Sequence, residues 1–280
     1  MNMAVYNPAF TGTNGSFVSL NSRSQWSGIE DAPRTNYLIY HLPKKDRVSI
    51  GFTAQNDRVF IENKTHFTID YNYQLQLNTD QFLYLGLKGG GFYNNIDVNR
   101  LERLYATYNP ALEPVTSYFT PILGLGMQYK APNYFIGVGI PSLFNNKRFQ
   151  DNSGWETTAS DIAYVYLSGG TTFSFSENFN LTPVLIYRAV PNSPNLFSAT
   201  FAINFKEQFS IGGGYANNNN MAFFVSSKNL KGIEWGYGYE VMNRTDATAI
   251  QGGTHELMLR FQLTQKEKES QRKEGYGERN

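Results

Sequence analysis

The chain has 280 residues, with 24 Lys+Arg against 23 Asp+Glu and a net charge of +1, so its charge balance gives no sign of nucleic-acid binding. It contains no cysteine, which removes disulfides, thiol nucleophiles and thiolate metal sites. Aromatic residues reach 15 % although mean hydropathy is only −0.42, and no run approaches the roughly 18 apolar residues of a spanning helix. A membrane-spanning structure would therefore have to be made of strands, with one wall face polar and the other apolar.

Met1-Asn2-Met3-Ala4-Val5 has neither a basic region nor an apolar one, so the sequence is expected to begin after a cleaved leader. A turn-rich opening, Asn7-Pro8-Ala9-Phe10-Thr11-Gly12, precedes a first strand over 16–24 and a second over 35–42. The strand over 47–55 sets Val48, Ile50, Phe52 and Ala54 against Arg47, Ser49, Thr53 and Gln55. The strand over 65–77 alternates Phe67, Ile69, Tyr71, Tyr73, Leu75 and Leu77 with His66, Thr68, Asp70, Asn72, Gln74 and Gln76. It is longer than the usual soluble strand of about 5–6 residues and suits a tilted bilayer crossing. Further strands are expected over 82–93, 118–130, 133–140, 161–173, 179–189, 196–206, 208–215, 221–226, 232–242 and 255–263. In the last of these, Leu257, Leu259 and Phe261 take one face, and Glu256 and Arg260 take the other.

The connections alternate in length. Those at 25–34, 56–64, 94–117, 141–160 and 243–252 are long, and those at 44–46, 78–81, 131–132, 174–178 and 207 are short. Two more, 190–195 and 216–220, are of moderate length. Short periplasmic turns and longer outside loops are the habit of outer-membrane barrels. The fold expected is all-β, a transmembrane antiparallel outer-membrane β-barrel of about fourteen strands over 1–263. Residues 1–15 are read as a periplasmic segment and 264–280 as a charged disordered tail, with both termini periplasmic and the long loops outside.

Residues able to do chemistry are few. His41, His66 and His255 have no second ligand at metal spacing and read as polar strand or interface residues. Gly86-Leu87-Lys88-Gly89-Gly90-Gly91 lacks the ending of a phosphate loop and reads as a glycine-rich strand. Asp70, Glu234, Glu240 and Glu256 could form a carboxylate pair for hydrolysis, but they lie on separate strands and read as lumen lining. Asn217–Asn220 reads as a surface tip, and Trp26 and Trp155 fall in outer loops where a partner or the membrane interface could meet them. Glycines fall on inward faces at Gly86, Gly90, Gly124, Gly126, Gly137, Gly139, Gly212, Gly214, Gly236 and Gly238. They serve wall curvature, or they clear a lumen for a docked polypeptide or plug. The lumen charges expected are Arg23, Arg47, Asp70, Lys88, Arg188, Glu234, Glu240, Glu256 and Arg260, whose mixed signs argue against a simple ion-selective porin.

Four stretches carry a family resemblance. They are Tyr6-Asn7-Pro8-Ala9-Phe10-Thr11-Gly12, Arg23-Ser24-Gln25-Trp26-Ser27-Gly28 with Ala32-Pro33, Gly137-Val138-Gly139-Ile140-Pro141-Ser142-Leu143, and Gly253-Thr254-His255-Glu256-Leu257-Met258-Leu259. In this order they resemble the PorP/SprF family, outer-membrane proteins of the Bacteroidetes type IX secretion and gliding systems. The resemblance implies a non-enzymatic, cofactor-free barrel that binds, anchors or helps export a secreted, adhesin-like cargo through the cargo's C-terminal domain. It also implies periplasmic lipoprotein or peptidoglycan-binding partners. A passive porin or hydrophobic-solute channel, and a soluble all-β enzyme or lectin, are the alternatives.

Overall fold

The computed structural model describes residues 2–97, 117–144, 146–148, 159–161, 163–189, 191, 193–242 and 252–263. Trp155 and the tail at 264–280 lie outside the described residues, as does most of the expected connections at 94–117 and 243–252.

The strands are β1 (Phe17–Ser24), β2 (Arg34–His41), β3 (Val48–Val59), β4 (Glu62–Asn78), β5 (Gln81–Ile96), β6 (Ser117–Lys130) and β7 (Tyr134–Ile140). After a small hairpin, β8 (Asn146–Arg148) and β9 (Ala159–Asp161), come β10 (Val165–Thr171), β11 (Phe173–Ser176), β12 (Phe179–Ala189) and β13 (Leu196–Phe205). The wall ends with β14 (Phe209–Ala216), β15 (Asn220–Lys228), β16 (Ile233–Met242) and β17 (Thr254–Gln262). Each wall strand pairs antiparallel with its sequence neighbours, β7 passing to β10 and β10 to β12. β11 pairs with the same β12 and continues β10, so the two fill one position. β17 returns to β1 with Phe17 opposite Gln262 and Ser24 opposite His255. The result is a closed antiparallel barrel of 14 strands, which leaves no strand edge and satisfies the backbone within the wall.

The polarity is that of a membrane wall. Phe67, Ile69, Ile136 and Leu257 are 52–61 % exposed on the outer face. Thr68, Asp70, Asn72 and Lys88 are at most 9 % exposed on the inner one. The period-2 alternation of β4 produces both sets, because successive side chains leave opposite faces of a strand. On β17, Leu257, Leu259 and Phe261 point outward, while Glu256 and Arg260 reach ion-pair partners inside.

Several boundaries differ from expectation. The connection at 56–64 is no loop: β3 and β4 run on past the apolar band, and only Phe60-Ile61 joins them, with Phe60 at φ +54°. Polar pairing carries the strands that far, as Asn56 donates to Asn63 and Thr65 across the hairpin. At 216–220 the link shrinks to 217–219, with Asn219 at φ +64° and Asn220 already in β15. The contrast between long and short ends is thus weaker than the sequence suggests. Residues 174–176 belong to β11, and 159–161 pair with β8 outside the wall. Arg47, expected on the lumen wall, sits exposed in the turn before β3.

Replacing Ile69 by Arg places a charge on the lipid face and should lower barrel stability by up to about 2–4 kcal/mol. The midpoint of urea unfolding in liposomes measures it. No shift in that midpoint would contradict the assignment of the outer face.

Candidate functional site

Residues 2–15 do not hang below the barrel. They fold into its lumen, towards the end where β4–β5 and β6–β7 make their turns. Two single 3₁₀ turns, Met3–Val5 and Pro8–Phe10, shape the segment. Asn7 starts the second by accepting the Ala9 N–H on Oδ1 at 2.9 Å, and Pro8 follows with its φ already helical and no N–H to satisfy. The same Asn7 side chain donates from Nδ2 to the carbonyls of Met127 on β6 and Val138 on β7, at 3.2 and 3.0 Å.

The wall makes room with glycine. A Cβ on Gly86 would strike the Pro8–Ala9 peptide, and one on Gly126 would strike Asn7 Oδ1. On Gly139 it would lie 2.6 Å from Asn7 Cβ and 2.7 Å from Tyr6 O, and on Gly137 3.1 Å from Asn7 Nδ2 and Phe10 Cε2. Phe10 meets Phe135 edge-on at 5.3 Å, and Tyr6 meets Tyr166 at 4.9 Å between ring centroids. Asn7, Pro8, Ala9 and Thr11 are at most 2 % exposed.

A buried polar network holds the other side. Thr11 Oγ1 donates to Asp70 Oδ2 at 3.1 Å, and Lys88 Nζ lies 2.8 Å from Asp70 Oδ1 with side-chain exposures of 4 % and 1 %. Asn72 Nδ2 donates to the carbonyls of Ala9 and Thr11 at 3.0 and 2.7 Å. The Gly12 N–H donates to His41 Nδ1 at 3.2 Å. Gly12 has φ +74° and packs directly on Ser49, so both its backbone and its lack of a side chain are needed there.

The opposite half of the lumen is different. Thr182, Ser198, Thr200, Ala202, Asn204 and Ser210 are small or polar and remain half-exposed. Gly236 and Gly238 face this half and approach Met258 and Glu256, not the N-terminal segment. Gly90, Gly124, Gly212 and Gly214 serve close approaches within or beside the wall, to Phe67–Thr68, Ile140–Pro141, Phe201 and Thr200 respectively. The inward glycines thus divide into those that admit the segment and those that relieve crowding between strands.

Most of the remaining inward charges are paired with an opposite charge. Arg23 reaches Glu240 at 2.7 Å and Glu256 at 3.5 Å, and Arg260 reaches Glu234 at 3.3 Å while covering the Phe17 ring. Arg188 lies over Tyr164. Each candidate catalytic carboxylate is therefore engaged by a cation, and no group of three His, Cys, Asp or Glu gathers as a metal site among the described residues. His66 lies 3.6 Å from Asp57, and His255 Nδ1 is 2.8 Å from the Tyr237 hydroxyl.

At the opposite end of the wall, the β1–β2 connection walls a cavity of about 410 Å³ lined by Ser24–Ile29, Asp31, Ala32, Arg34 and Arg58. Trp26 at φ +47° and Gly28 at φ +97° shape it. Gln25 N–H donates to Pro33 O, and Ser27 N–H donates to Gly253 O at 3.0 Å. The four stretches that carry the resemblance lie far apart in the sequence. In the fold, 6–12 meets 137–143 inside the lumen, while 23–28 with 32–33 meets 253–256 at the rim. The periodic glycines of β7 were the available signal for the first meeting.

The sequence model of a family described as "Type IX secretion system membrane protein PorP/SprF" matches residues 1–261. No curated protein matches the chain. Among solved structures, the toluene transporter TbuX of Ralstonia pickettii is 12 % identical, with a TM-score of 0.55 and 93 % of each chain covered. A deletion mutant of the monoaromatic hydrocarbon channel TodX is 10 % identical, with a TM-score of 0.52 over 93 % of each chain. The P. putida toluene transporter TodX is 10 % identical, with a TM-score of 0.50 over 93 % of this chain and 92 % of that one. At such identities the likeness is one of fold.

The absence of native cysteine makes an introduced thiol unique. Ala9→Cys should resist maleimide in the folded barrel, and adding Gly139→Val should raise its labelling on the order of tenfold by pushing the segment out. Equal rates in the two would show that the glycine does not hold it. Lys88→Met alone strands the Asp70 carboxylate and should cost about 3–5 kcal/mol, whereas Asp70→Asn with Lys88→Met should recover most of that in the same unfolding assay.

Proposed function

The chain belongs to the PorP/SprF family of type IX secretion system membrane proteins, and on that premise we propose that it is a non-enzymatic outer-membrane barrel that holds or helps export a secreted, adhesin-like cargo through the cargo's C-terminal domain. In this reading the rim formed by 23–33 and 252–256 faces outward and receives the cargo, and the termini face the periplasm. Periplasmic lipoprotein or peptidoglycan-binding partners would meet the short-turn end.

The observation that carries this reading is the packing of residues 6–12 into the wall. Asn7, Asn72, Thr11, Asp70 and Lys88 tie the segment to β4–β7 through buried hydrogen bonds and an ion pair. A segment fastened to β4–β7 narrows the path that free diffusion through the lumen would take. A family built around partner proteins has a use for a rigid, occupied barrel with a shaped rim. The half-exposed lining of β12–β14 supports the second reading, a channel for hydrophobic or small solutes beside the segment.

Affinity purification from the native membrane, with planar-bilayer recording on the same preparation, separates the two. Cargo should co-purify with a barrel that passes no steady current. Trp26→Ala, at the rim cavity, should cut cargo recovery on the order of tenfold without loss of heat-modifiable gel mobility. A conducting barrel free of cargo would favour the channel.

A further inference from the structure

Two residues that line the rim cavity, Arg34 and Arg58, have no role in the cargo reading. The outer face of β1–β4 changes character in three rows. Leu20, Leu38, Ala54 and Phe67 pair across the four strands in the first, and Leu20, Leu38 and Phe67 are 46–61 % exposed. Two residues further along the strands, about 7 Å, the row is Ser22, Asn36, Asn56 and Thr65. Its members bond to one another, Ser22 to Asn36 at 2.8 Å and Asn56 to Thr65 at 3.0 Å. A further two residues along, the row is Ser24, Arg34, Arg58 and Asn63.

Arg34 and Arg58 stand directly opposite each other in the β2–β3 register. Like charges at such positions destabilise a sheet unless an anion lies between them. Among the described residues neither arginine has a hydrogen-bond or ion-pair partner, and both line the 410 Å³ cavity. Asp31 lines it too and is engaged in a contact of its own, so the lining carries a net positive charge. Exposed Ile29, Val59 and Phe60 flank the site.

We infer that Arg34 and Arg58, on the outer face beside the rim loop, form a binding site for the phosphate of an anionic membrane lipid. The apolar row marks the edge of the hydrocarbon, the amide and hydroxyl row lies at the depth of the lipid's polar linkage, and the arginine row lies at its phosphate. Two guanidinium forks suit phosphate oxygens. The site is on the outside of the wall, directly above lipid-facing side chains, which favours a lipid over a soluble polypeptide.

Native mass spectrometry of the detergent-solubilised full chain, offered equal amounts of phosphatidylglycerol and phosphatidylcholine, tests it. The unmodified barrel should retain phosphatidylglycerol in preference, on the order of tenfold. Arg34→Gln with Arg58→Gln should abolish the preference while gel mobility stays heat-modifiable. Arg34→Lys with Arg58→Lys should keep part of it, and this charge-preserving pair stands in if the glutamine pair does not fold. An unchanged preference in the glutamine pair would overturn the proposal. So would displacement of the lipid by an oligoglutamate peptide, which would assign the site to an acidic polypeptide, or by inorganic phosphate, which would make it a simple anion site.

Discussion

The docked half of this barrel's interior depends on one contact: backbone against backbone, where residues 7–9 press on the inner face of β5–β7. Only glycine lets two main chains come so close. Once Gly86, Gly126 and Gly139 give up their side chains, Asn7 can reach the carbonyls of β6 and β7, and its own turn is fixed by the amide it uses to cap Ala9. The polar groups that this docking buries then need partners, and Asn72, Asp70, Lys88 and His41 supply them. The wall and the segment are each incomplete without the other.

Burial of these polar groups is tolerable because the segment's contacts are matched one to one, from Asn7 to the carbonyls of β6 and β7, from Thr11 to Asp70 and from Asn72 to Ala9 and Thr11. Among the described residues, His41 Nε2 and Asn72 Oδ1 keep no protein partner. A paired carboxylate and ammonium in the interior add little net stability, yet removing one leaves a charge that the interior cannot solvate. Such a network acts as a specificity device. It accepts one threonine, one asparagine pair and one register of the segment, and it penalises anything else. The half of the lumen lined by β12–β14 carries a lighter row, Ser210 donating to Asn204 and Asn204 to Thr182, with no ion pair among the described residues, and its side chains stay half-exposed.

Much of the wall was legible in the residue pattern. Strict alternation in β4 assigned Phe67 and Ile69 to one face and Asp70 and Asn72 to the other, and an even count of about fourteen strands is compatible with the antiparallel seam seen between β1 and β17. Alternation carries no information about where a strand stops when the flanking polar residues continue to pair. The pattern therefore makes the hairpin at Phe60-Ile61 a loop and sets Arg47 on a wall that begins one residue later. The docking of Asn7 was not legible in full. Periodic glycine at 137 and 139 announced that something approaches the wall, but the chain's own beginning lies more than a hundred positions away in sequence, and no local rule connects the two. Family likeness marked both stretches without saying that they touch.

The position of β1 has a consequence for how the molecule is assembled. The docked segment leads directly into Phe17, and β1 is also the strand that must find β17 to close the wall. Contact between strands this far apart in sequence has a high loop-closure cost and forms slowly. Ala9 bonds to Asn72 and Asn7 to Val138, so the segment can dock on β4–β7 before the last strands are in place. Docked early, it would hold β1 near its final station while β8–β17 are still being laid down. The lumen segment would then serve as an internal template that shortens the search for the seam.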